Sequence, residues 1–162
     1  MSGGSPVKNE QHIRMRKIRP TDITEYFVRR QLDPVEVAVI DKLLKSITRE
    51  GAIRRAWLRE IAEAITEVTS WKPATISKEK AEAYIAYVAY YLYRHYNRMP
   101  VDVFVVCKVA TIVMFMMGER PPYRALCGIR VTLQPFNPFY LTALKSLSER
   151  GVIKIVWERE SR

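Results

Sequence analysis

The segment from Val101 to Met117 constrains the fold more than any other part of the sequence, because it is almost wholly apolar. A helix that spans a bilayer needs about 20 such residues, so this segment is short for a membrane span, and charges within it count further against one. We expect a core helix instead, started by Pro100 and ended near Gly118, with other helices packed around it. The segment is interrupted only by Asp102, Lys108 and Thr111.

Helix start and stop signals predict several further helices. Asp33-Pro34-Val35-Glu36 combines a capping Asp, a Pro at the first helical position and a Glu that completes a capping box, and this helix is expected to end or bend at Gly51. A second helix is expected over residues 53–68. Ser77 is expected to cap a third helix that runs to about Arg98, and Asn137-Pro138 begins a fifth that ends at Gly151.

The third predicted helix is rich in tyrosine. Aromatic side chains can stack on unpaired bases, but a helix that is apolar on several sides is more often buried or placed at a subunit contact. We therefore expect the 77–98 and 100–118 helices to form the bundle and the contacts between subunits. The tyrosines are Tyr84, Tyr87, Tyr90, Tyr91, Tyr93 and Tyr96.

Two short segments near the C-terminus have the pattern of strands. Residues 129–133 alternate in polarity and residues 152–157 are β-branched, so the two are expected to pair. The predicted fold class is mainly α, a basic N-terminal arm plus a bundle of four to five helices, with a short β-hairpin near the C-terminus. The predicted division is an arm over 1–32 and a helical domain over 33–162. The helical domain contains a helix-turn-helix at 33–68, apolar helices at 77–118, and short strands flanking a helix at 129–157.

The chain is strongly basic, with 27 Lys and Arg against 17 Asp and Glu, a net charge of +10 and a pI of about 9.8. Such a balance favours a polyanionic partner, nucleic acid first and an anionic membrane surface second. Arg outnumbers Lys, and Asn and Gln are scarce, which favours a thermophilic source.

Two clusters of basic residues are the candidates for nucleic-acid binding. Guanidinium groups suit phosphate oxygens, because their forked donors bind bidentately, and basic arms commonly track a phosphate backbone. Basic residues at the start of the second helix do not favour helix stability, which points to a role outside the helix. The candidates are Arg14, Arg16, Lys17, Arg19, Arg29 and Arg30 in the arm, and Arg54, Arg55 and Arg59 in the second helix.

Nothing in the sequence resembles a catalytic motif. Phosphate-binding loops, dinucleotide fingerprints and nucleophile elbows are absent, and His12 and His95 have no partner at metal-ligand spacing. Cys107 and Cys127 lie in no C-x-x-C pair, so buried thiols are favoured over one disulfide. We expect no enzyme, no cofactor and no metal. The Gly/Ser- and charge-rich start predicts no secretory signal.

Taken whole, the order of basic arm, helix-turn-helix and apolar bundle resembles the major capsid proteins of filamentous viruses that infect hyperthermophilic archaea, the rudivirus, lipothrixvirus and tristromavirus group. The resemblance is carried by residues 12–30, 33–68, 77–98 and 100–118. It implies N-terminal segments that wrap linear double-stranded DNA held in A-form, an outward-facing bundle and a partner that is a second copy or a related subunit. It further implies a virion or host-cytoplasm location, no small-molecule substrate, and membrane contact only as an outer envelope.

We therefore expect sequence-independent double-stranded DNA binding and packaging by a coat protein that assembles into a filament. One alternative is a winged-helix regulator, because residues 128–160 resemble the closing half of such a domain with Lys145 and Arg150 facing DNA. Another is a small enzyme, or a membrane-associated protein that uses the 100–118 helix.

Overall fold

A computed structural model of the chain describes residues 16–49, 74–120 and 138–157. Within these ranges the chain is mainly helical with a small antiparallel sheet, which confirms the predicted class. The helices are α1 (Thr24–Gln31), α2 (Pro34–Thr48), α3 (Lys78–His95), α4 (Val103–Met116) and α5 (Pro138–Glu149). The strands are β1 (Arg16–Pro20), β2 (Ala74–Thr75), β3 (Val101–Asp102), β4 (Glu119–Arg120) and β5 (Ile153–Trp157).

Side-chain caps start α2 and α3 where the sequence predicts them. The Asp33 carboxylate accepts a hydrogen bond from the Glu36 amide at 2.9 Å, and the Glu36 carboxylate accepts one from the Asp33 amide at 3.0 Å. Pro34 occupies the first helical position. The Ser77 hydroxyl accepts a hydrogen bond from the Lys80 amide at 3.1 Å, so in each helix the cap satisfies one of the free amides of the first turn.

Helix α3 lies at the centre of the described part of the fold. Every residue from Ala81 to Ala89 is buried, because α1, α4, α5 and β1 pack around it. Small alanines alternate with large side chains such as the fully buried Tyr84, which lets neighbouring elements approach closely. The core role predicted for this helix is confirmed, although Tyr90 and Tyr91 near its C-terminal end are only half-buried.

Helix α4 is the apolar core helix that the sequence predicts. Its side chains from Val109 to Phe115 are buried within the chain's own fold, so it contributes to the core. It begins at Val103 rather than directly after Pro100, because Val101–Asp102 pairs with β1, and the Asp102 carboxylate caps the helix through the Phe104 amide at 2.7 Å. Among the described helices, none combines the length and apolarity needed to cross a membrane.

The sheet corrects the predicted extent of the N-terminal arm. Residues 16–32 belong to the folded domain, because β1 is the central strand between β3 and β5, and Ile18 on it is fully buried. Helix α1 follows at once and buries Phe27 and Val28. Residues 1–15 lie outside the described ranges, so the prediction of an arm remains only for them.

The C-terminal elements include the predicted fifth helix and second strand. Gly151 has a φ of +74°, a conformation that suits glycine, and it joins α5 to β5. The described partner of β5 is β1, in antiparallel register from Arg16 opposite Trp157 to Pro20 opposite Ile153. The expected partner, 129–133, lies outside the described residues.

Candidate nucleic-acid interface

The outer face of the sheet carries a strip of cations. Successive side chains on a strand point to opposite faces, so Lys17 and Arg19 lie on the face away from the buried Ile18. On β5, Ile153 is buried and Lys154 is exposed, which puts Lys154 on the same outer face. We call Lys17, Arg19 and Lys154 the cationic strip.

Two members of the strip stand directly opposite each other. The register of β1 and β5 pairs Arg19 with Lys154, and both side chains are exposed. Like charges in directly opposed positions destabilise a sheet, by about 0.2–1 kcal/mol. Fold stability therefore does not explain this pair, whereas a bound anion between the two groups removes the repulsion.

Lys17 has different surroundings from its neighbours on the strip. It is half-buried, and its opposed residues are Val156 on β5 and Asp102 on β3. The strip is therefore less exposed at Lys17, which lies beside a carboxylate, than at Arg19 and Lys154.

Helix α1 presents Arg29 and Arg30 on its exposed side. Arg29 makes a 3.0 Å ion pair with Glu25 one turn earlier, and both side chains are at least half exposed, so the pair is worth little. The Arg30 guanidinium lies 5.6 Å from the centre of the Tyr26 ring and donates to its hydroxyl at 2.9 Å. The Tyr26 contact orients Arg30 without neutralising its charge.

Two hydrogen bonds, of which the one from Thr24 is buried, fix α1 against the sheet. The Thr24 hydroxyl donates to the Val152 carbonyl at 2.6 Å, and the Thr21 hydroxyl donates to the Gly151 carbonyl at 2.6 Å. Both carbonyls lie just before β5, which carries Lys154. The cations of α1 and those of the cationic strip therefore belong to one rigid unit.

The structure separates Arg16 from the other candidates. Arg16 shares a strand face with Ile18, so it lies on the core side of β1 and not on the cationic strip. The remaining predicted residues, Arg14, Arg54, Arg55 and Arg59, lie outside the described ranges, as do His12 and Cys127.

Lys154 is a candidate residue of this surface that the sequence analysis missed. It is the only charged residue among the five of β5, and that isolation within a β-branched strand was the available signal. Its position opposite Arg19 depends on a pairing between residues more than 130 positions apart, which no local pattern shows.

A second charged cluster is internal and structural. The Lys80 ammonium lies 2.7 Å from a carboxylate oxygen of Glu36 and 2.7 Å from one of Glu119, and the Tyr84 hydroxyl also donates to Glu119. Burial alone would lower the pKa of Lys80, but the hydrogen bonds to the two glutamates outweigh it and raise that pKa. The pKa of Tyr84 is raised mainly by burial and, to a smaller extent, by its hydrogen bond to Glu119. These groups satisfy one another and join α2, α3 and β4.

The described residues contain no metal-binding group. In residues 16–49, 74–120 and 138–157, no three His, Cys, Asp or Glu side chains are placed to hold an ion. Cys107 is a free, buried thiol whose pKa is raised by burial, so it is a poor nucleophile.

Comparison with known proteins adds no family to this description: no family model, curated protein or solved structure matches the chain.

Proposed function

We propose that this chain binds double-stranded DNA without regard to sequence, as a structural protein rather than an enzyme. The observation that carries the proposal is the exposed pair of opposed cations, Arg19 and Lys154, whose repulsion works against the stability of the sheet. A phosphate oxygen that accepts from both groups offsets that repulsion. The net charge of +10 gives the long-range attraction.

The exposed members of the cationic strip suit contacts with phosphates. Arg19 offers a forked guanidinium and Lys154 an ammonium group from directly opposed positions on β1 and β5. Contacts to phosphates carry no sequence information, so binding through this surface is general and falls steeply with salt.

Coating of DNA by many copies is the finer part of the proposal. Helix α2 exposes Val35 and Val39, one helical turn apart, with 72% and 41% of their surface accessible. In this proposal the two exposed apolar side chains, which lie on one face of the helix, contact a second subunit. Neighbouring copies that meet through α2 would cover a duplex continuously, as in the capsid proteins that the sequence resembles.

Electron microscopy of the purified chain mixed with long double-stranded DNA of arbitrary sequence tests this function. We expect regular filaments that form only when DNA is present. They should become fewer or disappear when Val35 and Val39 are both changed to Ser. DNA that stays bare at low salt would contradict the proposal. Particles at a few fixed positions would contradict its sequence independence.

The winged-helix alternative gains no support from the described contacts. Its first strand, 129–133, lies outside them. Arg150, which that alternative places against DNA, instead donates to the buried Glu82 carboxylate at 2.9 Å and lies over the Phe27 ring at 4.8 Å from its centre. Its charge is therefore paired with a carboxylate of the fold, although its side chain is 45% exposed.

A further inference from the structure

A groove runs along α3 on the side where α1 and α2 pack against it. It consists of three adjoining hollows of about 460, 480 and 540 Å³. The first shares Tyr87 and Tyr90 with the second, and the second shares Tyr91 and His95 with the third. We call this feature the tyrosine groove; from Tyr87 to His95 it follows about 12 Å of helix.

The wall of the tyrosine groove is aromatic and held in place. The Arg94 guanidinium lies 5.4 Å from the centre of the Tyr90 ring and donates to its hydroxyl at 2.9 Å. The Tyr91 and His95 rings are nearly parallel, at 13°, with their centres 6.0 Å apart. Rings already fixed by neighbours one turn away lose little freedom when a flat ligand stacks on them.

One end of the groove is positively charged. Lys45 and Arg49, near the end of α2, line the same hollow as His95 at the end of α3. Each helix C-terminus carries about half a negative charge, so the two ends together offset about one of the two cations. Among the described residues that line this hollow there is no carboxylate, and it therefore remains positive.

The other end of the groove contains acceptors. Glu25 and Asp41 line both the first hollow and the middle one, and Asp41 accepts a hydrogen bond from the Tyr87 hydroxyl. A ligand that fits the whole groove is thus flat and aromatic in the middle, anionic at one end and able to donate hydrogen bonds at the other.

We propose that the tyrosine groove binds a nucleotide unit, with an unpaired base against Tyr90 and Tyr91 and its phosphate at Lys45 and Arg49. The base amino groups donate towards Glu25 and Asp41. The unit belongs either to a free mononucleotide or to an unpaired stretch of nucleic acid. This site shares no residue with the cationic strip, and the inference does not depend on the proposed duplex binding.

The test is isothermal titration calorimetry of the full chain with three probes. The probes are adenosine monophosphate, a single-stranded oligonucleotide and a duplex of equal length. We expect Tyr91→Leu to weaken oligonucleotide binding by about fivefold or more, because stacking on one aromatic side chain contributes that much. Arg49→Gln should lower the salt slope for the oligonucleotide by about 0.7. Tyr93→Leu and Lys42→Gln, outside the groove, are the matched controls.

The outcomes separate the sources of the ligand and the failure of the idea. Mononucleotide binding that both variants weaken assigns a free nucleotide, and an effect on the oligonucleotide alone assigns an unpaired strand. Equal affinity of wild type, Tyr91→Leu and Arg49→Gln for both probes would overturn the proposal, as would a loss of affinity in Arg49→Gln without one in Tyr91→Leu.

A second tyrosine variant covers the case in which Tyr91→Leu does not fold by circular dichroism. Tyr90→Phe then takes its place in the comparison, because it keeps the ring and releases Arg94. It should then retain oligonucleotide affinity within about twofold while Arg49→Gln loses it, and any other result counts against the site. The double variant Arg19→Gln/Lys154→Gln should leave mononucleotide binding unchanged, which distinguishes this site from the cationic strip.

Discussion

Glutamine in place of both Arg19 and Lys154 removes the two opposed cations and keeps side chains of comparable reach. If each cation neutralises one phosphate, the slope of log K against log salt becomes shallower by about 1.8, because each contact contributes about 0.9. If the two contacts contribute nothing to affinity at about 1 M salt, the same relation gives a loss of affinity of about 60-fold at about 0.1 M salt and about 20-fold at about 0.2 M.

Fluorescence anisotropy with a labelled duplex of arbitrary sequence measures both quantities across a salt series. The matched control is Lys42→Gln/Lys145→Gln, which removes two exposed charges from α2 and α5. The control lowers only the general attraction, so its slope should change by less than half as much. An equal loss in both double variants would refute the assignment of the contacts to the cationic strip.

The same substitution makes an opposite prediction for stability. Because Arg19 and Lys154 repel each other across the sheet, their removal should leave the free energy of unfolding unchanged or raise it by up to about 1 kcal/mol. Either single substitution should give most of the gain, and added salt should diminish it. If the double substitution lowers the free energy of unfolding in urea by more than about 1 kcal/mol, the repulsion from which the function is argued is contradicted.

Three further predictions concern the fold. The pKa of Tyr84 is raised by burial, so its contribution to stability is present below pH 10 and is lost as pH rises beyond it. Tyr84→Phe should make this alkaline loss of stability smaller in denaturant titrations at stepped pH. An unchanged dependence of stability on pH would contradict the raised pKa of Tyr84. Asp33→Ala removes the α2 cap and should cost about 1 kcal/mol in urea unfolding, whereas the exposed Asp22→Ala should cost much less. Thr24→Val removes the shorter of two hydroxyl donors to the Val152 carbonyl and the acceptor of the Thr21 amide, and should cost about 1–3 kcal/mol by the same assay. An unaltered midpoint would show that these bonds do not hold α1 to the sheet.

Local signals were enough to place most of the helices. The capping box at Asp33 and Glu36 and the Ser77 cap are short-range interactions, so a few residues determine where α2 and α3 begin. The apolar run of α4 is also a local signal, because so many consecutive apolar side chains favour a helix buried in the core.

Long-range pairing was beyond the reach of such signals. Strand β1 has a single fully buried apolar residue, Ile18, among basic neighbours, so its sequence is typical of an exposed basic segment. It is a strand because β3 and β5, distant in sequence, hydrogen-bond to its two edges. The same pairing brings Lys154 to Arg19, and the α1–α2–α3 packing brings Lys45 and Arg49 to the tyrosines, so neither candidate site can be assembled from sequence spacing alone.

The most direct test of duplex binding through phosphates compares two duplexes of equal length and unrelated sequence with the unmodified chain over a salt series. Phosphate recognition predicts affinities equal within a few-fold and a linear fall of log K with log salt, with a slope steeper than about −2 for the contacts of the cationic strip and α1. An affinity that does not change with salt, or a preference of about 1,000-fold for one duplex, would contradict it.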